Sequence, residues 1–541
     1  MASTEITAPR AAWTGLRRLL ARALAPALLA VAALASGCAS LPPPSGRTDS
    51  SAELASEATT LGRLAMRSAP APGVSGFRLL PTGGYAFDAR LALIERAERS
   101  IDLQYYILQR DATGQALLRA LRDAAARGVR VRLLLDDMYT AGNDELLLAF
   151  AAQPNVELRL FNPFVTARER TAFRFIAGAN EFWRISRRMH NKLLVADGAM
   201  AIAGGRNIAA EYFARNEEAN FIDLDLLAIG PVTAELSQQF DRYWNSDISR
   251  PVQQIAHSVH PPAELRALFD SLTAEARPRE LPSAERDPFG HRPLSQDLAL
   301  DTALALVWAE AQVFADAPEK VLGRRPTYAG LPLEDTGSVH FNVTGAIAEA
   351  RREVLLASPY LVPGPEGMGV LRQVRTRGVD VAALTNSLAS TDEIVVHTGY
   401  RRYRPDLLRL GVRLHEFSPN RVNRYLRLGL FQTPGRLHTK AAVIDRELIF
   451  IGSMNMDPRS ERHNTEIGLI LKSAELGAQV HHLLSTEMEQ SAYRLQLKPD
   501  GQDIVWVSYD DETVFENEPD VSWFERLILN LIAPLVPEGL L

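Results

Sequence analysis

The sequence predicts an α/β protein built from two similar domains, each a mainly parallel β-sheet flanked by helices. Three observations carry that prediction. At 541 residues the chain exceeds the size at which a single hydrophobic core stops growing, so it divides. Strand-like and helix-like segments alternate along it, as in β-α-β units with parallel strands. The alternation also recurs: Arg127-Gly128-Val129 and Arg377-Gly378-Val379 are equivalent landmarks 250 positions apart.

The elements justify this in order. Residues 1–38 carry Arg10, Arg17, Arg18 and Arg22, then an apolar stretch from Ala23 to Leu34, then Ala35-Ser36-Gly37-Cys38. A positive flank, a short apolar region and small residues make an export signal. The ending in cysteine resembles a bacterial lipoprotein signal, in which Cys38 becomes the acylated first residue. An uncleaved signal-anchor helix fits the same stretch, and both readings place the body outside the cytoplasmic membrane. Cys38 is the single cysteine, which excludes an intramolecular disulfide and a cysteine-based zinc cluster. Residues 39–70 open with Leu41-Pro42-Pro43-Pro44-Ser45-Gly46 and read as a tether.

The first domain is expected over 71–257. Ala89–Ala97 is helix-like and leads into the strand-like Ser100–Ile107. The amphipathic Ala116–Arg127 follows, Gly128 caps it, and Val129–Leu135 is the next strand. The second domain, 339–495, repeats this with Ala346–Arg352, Val354–Tyr360, Gly369–Arg377, Gly378 and Val379–Leu384. Between them 258–338 reads as a connecting helical region, with Asp297–Phe314 as its helix. Residues 496–541 form a C-terminal extension. Its Val521–Val536 stretch suits either a membrane-interfacial segment with an aromatic anchor or packing against the body.

The chemistry lies in a second repeat. His190-Asn191-Lys192 is followed by Asp197 and by Gly204-Gly205-Arg206-Asn207, within 184–211. His438-Thr439-Lys440 is followed by Asp445 and by Gly452-Ser453-Met454-Asn455, within 432–459. In a strand, residues i and i+2 share a face, so each imidazole points with its ammonium. Gly205 and Ser453 are small enough for backbone to approach a phosphate closely, and N–H groups at the start of the following helix can bind its oxygens. Two such half-sites facing one another would surround one phosphodiester. One imidazole must then be neutral to attack phosphorus and the other protonated to supply the leaving oxygen. Lys192, Lys440, Asn207 and Asn455 would stabilise charge on the non-bridging oxygens. A carboxylate must orient each ring, and Asp223 and Glu466, each heading the next strand-like segment of its half, are the candidates. His397 and His415 lack any such pattern and read as structural or surface residues.

The doubled His-x-Lys-x4-Asp pattern resembles the phospholipase D superfamily, from about Phe77 to Tyr493. Ile101–Ile107, Leu384–Asp392 and Gly399–Tyr403 are similar to the cardiolipin synthase C type within it. The resemblance implies two phospholipase D-like domains sharing one active site at their interface, with no cofactor and no metal. It also implies His190 as nucleophile, His438 as acid/base, and Asp197 and Asp445 in the motif as structural or supporting groups. The activity implied is phosphatidyl transfer between phospholipids, with phosphatidylglycerol or phosphatidylethanolamine as partners. Phospholipase D-type hydrolysis and an envelope nuclease are the alternatives. A net charge of −6 gives no support to a nucleic-acid binder. Arginines 401, 402, 404, 409, 413, 421, 424, 427 and 436 face only Asp406 and Glu416 in sequence. They read either as a phosphate-binding surface or as ordinary surface charge. The expected setting is the bacterial envelope, lipid-anchored and facing the periplasm.

Overall fold

A computed structural model describes residues 41–536 apart from 42, 44–45, 72, 179–180, 279, 281–284, 324–326, 329–330, 333–336, 422–432, 502 and 511. Cys38 and the signal of 1–38 lie outside the described residues, as do Arg424 and Arg427.

The first half runs β1 (Ser75–Leu80), α1 (Gly83–Arg96), β2 (Ser100–Tyr105), α2 (Ala112–Ala126), β3 (Arg130–Asp136) and β4 (Val156–Phe161). It continues with β5 (Leu193–Ala196), β6 (Met200–Gly204), β7 (Asn220–Ile222), β8 (Asp225–Ile229), α3 (Pro231–Trp244) and β9 (Ser249–Pro251). After β10 (Val307–Ala315), the second half runs α4 (Val339–Ala348), β11 (Glu353–Ala357), α5 (Gly364–Thr376), β12 (Asp380–Asn386), α6 (Ile394–Arg409) and β13 (Arg413–Phe417). Then come β14 (Gly435–Leu437), β15 (Ala441–Ile444), β16 (Leu448–Gly452), β17 (Ile467–Lys472), α7 (Ala474–Gln490), β18 (Ala492–Leu497), β19 (Ile504–Ser508) and α8 (Trp523–Ile532).

Strands of the first half lie side by side as β9-β4-β3-β2-β5-β6-β8-β1, and those of the second as β17-β16-β15-β11-β12-β13-β18-β19. Parallel pairing is narrower than predicted. Within the large sheet it is confined to β2-β3-β4 and to β11-β12-β13 among the described residues. The reason is local. The β-α-β connections make parallel neighbours, whereas each His-x-Lys strand turns back through a tight hairpin at its motif aspartate. Asp197 and Asp445 take φ of 53° and 52° there, and the hairpins pair antiparallel.

The connecting region differs from expectation. Of the predicted helix Asp297–Phe314 only Asp297–Leu300 is helical, as the end of a helix over Leu294–Leu300, and Val307–Ala315 is a strand. β10 pairs antiparallel with β1 at one end and with β17 along the rest, joining both halves into one 18-stranded sheet. Two sheet edges in need of partners override the helical propensity of its alanines, glutamate and glutamine. The cores merge as well: Phe77, Leu193 and Leu226 belong to the same buried cluster as Leu355, Val443 and Leu469.

Both ends are more structured than predicted. The described part of the 39–70 tether docks on the first half. Arg132 and Arg159 donate to the carbonyls of Ser50 and Thr48, and Ala52 N–H donates to Asp241. Thr60–Ser68 is a helix with Leu61 and Leu64 buried. At the other end, β18 crosses the expected boundary at 495 and pairs with β19, widening the second half of the sheet. Helix α8, within Val521–Val536, packs against the body and also exposes apolar side chains. Arg401 and Arg402 of α6 bond to Asn530 and to the carbonyls of Ala533 and Val536, while Trp523 (70% exposed) and Leu531 (66%) face outward. No helix of the described residues is long and apolar enough to cross a membrane.

Candidate active site

The two motifs meet where the halves meet, and backbone pairing brings them together. β7 of the first half pairs in parallel with β14 of the second, and His438 N–H donates to the carbonyl of Ile222 at 2.7 Å. In the mirror contact, Met189 bridges Thr465, and His190 N–H donates to the carbonyl of Thr465 at 2.9 Å. Each segment entering a motif histidine is thus zipped to the segment that carries a carboxylate of the other half.

The consequence is a crossed arrangement that the sequence did not reveal. His190 Nδ1 lies 2.9 Å from Oε2 of Glu466, and His438 Nδ1 lies 2.5 Å from Oδ2 of Asp223. Each imidazole is oriented by a carboxylate from the opposite half. Both rings are deeply set, 7% and 5% exposed. Tyr106 packs edge-on to His190, and Tyr212 and Phe221 pack around His438. Lys192 and Lys440 turn back to donate to the carbonyls of their own histidines at 2.6 and 2.5 Å.

Gly205 and Ser453 are explained by the carboxylates. A Cβ on Gly205 would stand 2.1 Å from Oδ1 of Asp223, so only glycine leaves room for that carboxylate. At the equivalent position Ser453 donates its hydroxyl to Oε2 of Glu466 at 2.5 Å. Asn207 accepts the N–H of Ile107 through Oδ1 at 3.3 Å, and Asn455 is buried with no partner for its Oδ1 among the described residues. Asp197 and Asp445 point away from the histidines. Asp197 accepts the N–H groups of Glu98, Arg99 and Ser100, and Asp445 those of Arg351, Arg352 and Glu353, each pinning the start of the strand beside its own motif.

Residues outside the motifs complete the site. Asp136 accepts the N–H of Met189 at 2.8 Å, and Asn386 accepts that of Leu437 at 2.9 Å; each holds the residue just ahead of a histidine. Behind Glu466, Asp316 accepts the Glu466 N–H at 3.0 Å and is itself bonded by Lys320 at 2.7 Å. Both belong to the connecting region, where no chemistry was expected. Of this set only Asn386 lies in a segment, Leu384–Asp392, that carried a resemblance in the sequence.

The electrostatics of the halves differ. Burial, then Lys192, Lys440 and His438, hold the His190 imidazole well below its ordinary pKa. Repulsion by groups of both halves reflects how closely the half-sites approach. His438 is lowered too, by burial and Lys440, with Asp223 opposing. Burial raises Glu466 to about 7 against the pull of Lys192. Asp223 goes the other way: burial works against its charge, but His438, Lys440 and Arg206 outweigh it and hold it below the ordinary range. Burial brings Lys440 down to about 8 and takes Lys192 well below its ordinary value.

Other predicted features resolve differently. His397 is buried against Arg404 and Glu518, and His415 is buried and stacked on Tyr509. In the arginine-rich segment Arg404 pairs with Glu416 and Glu518, Arg409 with Asp406, Arg413 with Asp380 and Arg421 with Asp510. Glu518, Asp380 and Asp510 lie outside the stretch over which acids were counted.

Comparison with known proteins agrees with the two-half site. The family model described as "Cardiolipin synthase, PLD-like domain" matches residues 91–244 and 343–489. The chain is 37% identical to cardiolipin synthase C of Escherichia coli K12 over 486 residues, 87% of this chain and 97% of that protein. It is 28% identical to cardiolipin synthase A of Pseudomonas putida over 76% of this chain and 68% of the relative. Among solved structures, the phosphatidylserine synthase of Haemophilus influenzae Rd KW20 aligns with a TM-score of 0.54 at 12% identity, covering 89% of this chain and all of the other. That last likeness speaks to the fold.

Proposed function

The chain belongs to the phospholipase D-like family that includes the cardiolipin synthases, and from that premise we propose that it transfers a phosphatidyl group from one phospholipid to a head-group hydroxyl of another. The observation that carries the reading is the crossed pair of imidazole–carboxylate bonds, His190 to Glu466 and His438 to Asp223, each made across the two halves.

In the proposed sequence Nε2 of His190 attacks phosphorus while its Nδ1–H donates to Glu466. The bond from phosphorus to the departing head-group oxygen breaks, and His438 passes its proton to that oxygen. His438, now neutral, takes the proton from the hydroxyl of an incoming lipid, whose oxygen attacks the phosphohistidine and releases His190. Lys192, Lys440 and the Asn207 and Asn455 amides face the charge that builds on the non-bridging oxygens. The division of labour is supported by the asymmetry of the carboxylates. An ionised Asp223, backed by Arg206, favours a proton on His438. His190, buried and then pressed by two lysines and the other imidazole, favours the neutral form.

A lipid on Cys38 would hold the enzyme on the envelope membrane with its body in the periplasm, and the outward apolar face of α8 would lie in the interface. The test is purified protein on vesicles of defined lipids with the products identified. Cardiolipin from phosphatidylglycerol, lost in His190→Ala, is the expected result. Phosphatidic acid alone means hydrolysis. Cleavage of DNA with inertness toward lipids overturns the proposal.

A further inference from the structure

The segment Leu384–Asp392 holds more than His438 in place. Asn386 accepts the N–H of Leu437 and donates to its carbonyl, and Ser390 bonds Asn386 and the carbonyl of Phe417. That rigid loop ends at Asp392, whose Oδ2 takes the Tyr360 hydroxyl at 2.8 Å. Tyr360 ties it to the site. The strand pair β11-β15 ends at Ala357 opposite Ala441, three residues short of Tyr360 and of His438, and the Tyr360 hydroxyl feels Tyr212, whose ring packs edge-on to His438. The Asp392 charge is felt by His438 and Lys440, and by Tyr212 on the far side of the His438 ring.

Asp392 is otherwise unspent. It is exposed, it accepts no backbone N–H, and its Oδ1 has no donor among the described residues. An exposed carboxylate within reach of the reacting centre repels an anionic phosphodiester, a cost that makes sense only where it meets a hydrogen-bond donor. The phosphate itself has none to offer. The head group attached to the oxygen that His438 protonates and deprotonates does.

We propose that Asp392 reads the head group: its free Oδ1 accepts a hydrogen bond from a hydroxyl or ammonium of the phospholipid arm that departs from, or enters at, the His438 side. The inference rests on the phosphatidyl-transfer reading and gives that site its head-group subsite. Tyr360 fixes the carboxylate, leaving one oxygen for the lipid.

The experiment compares wild type, Asp392→Asn and Tyr360→Phe on phosphatidyl donors that share acyl chains and carry glycerol, ethanolamine or methanol head groups. The methanol head group, once esterified, has no donor to offer. A charge-assisted hydrogen bond is lost in Asp392→Asn, so kcat/KM for donor-bearing head groups should fall roughly 10-fold or more relative to the methanol lipid. Tyr360→Phe should give a smaller change in the same direction. A selective fall for glycerol alone identifies the hydroxyl, and one for ethanolamine alone the ammonium. Equal losses on all three lipids, or none, overturn the role of Asp392 while leaving lipid turnover intact. Inactivity of the wild type on all three instead removes the lipid reading and this inference with it.

Discussion

Replacing Asp223 by asparagine removes one charge and little volume, and its consequence can be worked from the structure. The carboxylate is buried and lies 2.5 Å from Nδ1 of His438, so it stabilises the imidazolium directly. A hydrogen bond to a charged group contributes about 1.5–3 kcal/mol, and at about 1.36 kcal/mol per pKa unit the His438 pKa should drop by about 1–2 units. If His438 is the proton donor, kcat/KM declines as pH rises through its pKa, so the alkaline limb of the profile should move to lower pH by that amount. The acid limb, which reports the second proton taken up by the His190–Glu466 pair, should stay in place. Turnover at the optimum should fall about 100-fold, on the scale of about 3 kcal/mol of barrier. Glu466→Gln should do the converse, moving the acid limb and leaving the alkaline one. The assay is the pH dependence of kcat/KM on a soluble short-chain phospholipid, with a thermal melt to establish folding. An alkaline limb that stays put in Asp223→Asn, or that moves in Glu466→Gln instead, would refute the division of roles.

Gly205→Ala places a methyl 2.1 Å from Asp223 Oδ1 and should reproduce the Asp223→Asn activity loss in a protein that still folds, as seen by circular dichroism and steady-state rates. Asp197→Ala strips three backbone N–H groups of their acceptor, so it should lower stability by at least about 2 kcal/mol in urea unfolding, with turnover per folded molecule reduced far less than in Asp223→Asn. Glu518→Gln breaks the buried pair with Arg404 and should cost about 3–5 kcal/mol in chemical unfolding. Burial opposes the Glu518 charge, but His397, Arg404 and Arg401 outweigh it and depress its pKa. Its contribution is therefore present above the ordinary glutamate value of about 4.3 and is lost as pH falls through the lower folded value, and Glu518→Gln should flatten the melting curve over that acid range.

What could be seen in the sequence was whatever chain spacing alone determines. An imidazole and an ammonium two residues apart share a strand face whatever the tertiary structure, and the duplication marked both copies as one kind of object. Asp223 and Glu466 were recoverable as carboxylates heading the next strands, but which ring each serves depends on how the halves pack. No spacing within a half encodes that. Val307–Ala315 went wrong for a related reason: its composition suits a helix, and only the two sheet edges at Phe77 and Leu471 make it a strand. Gly205 was credited with approach to phosphate, when its nearest demand is the Asp223 carboxylate.

The crossing of the carboxylates has a consequence for the architecture. Were each histidine oriented by a carboxylate of its own half, either half could hold a working imidazole alone, and the two could drift apart without losing geometry. Here His438 depends on the segment 220–223, and His190 on 464–466, through paired backbone as well as side chains. Opening the interface by a residue of register would strip both rings of their partners together. β10, bonded to both halves, and the shared core hold that register, so the continuous sheet is what keeps each imidazole on the carboxylate of the opposite half.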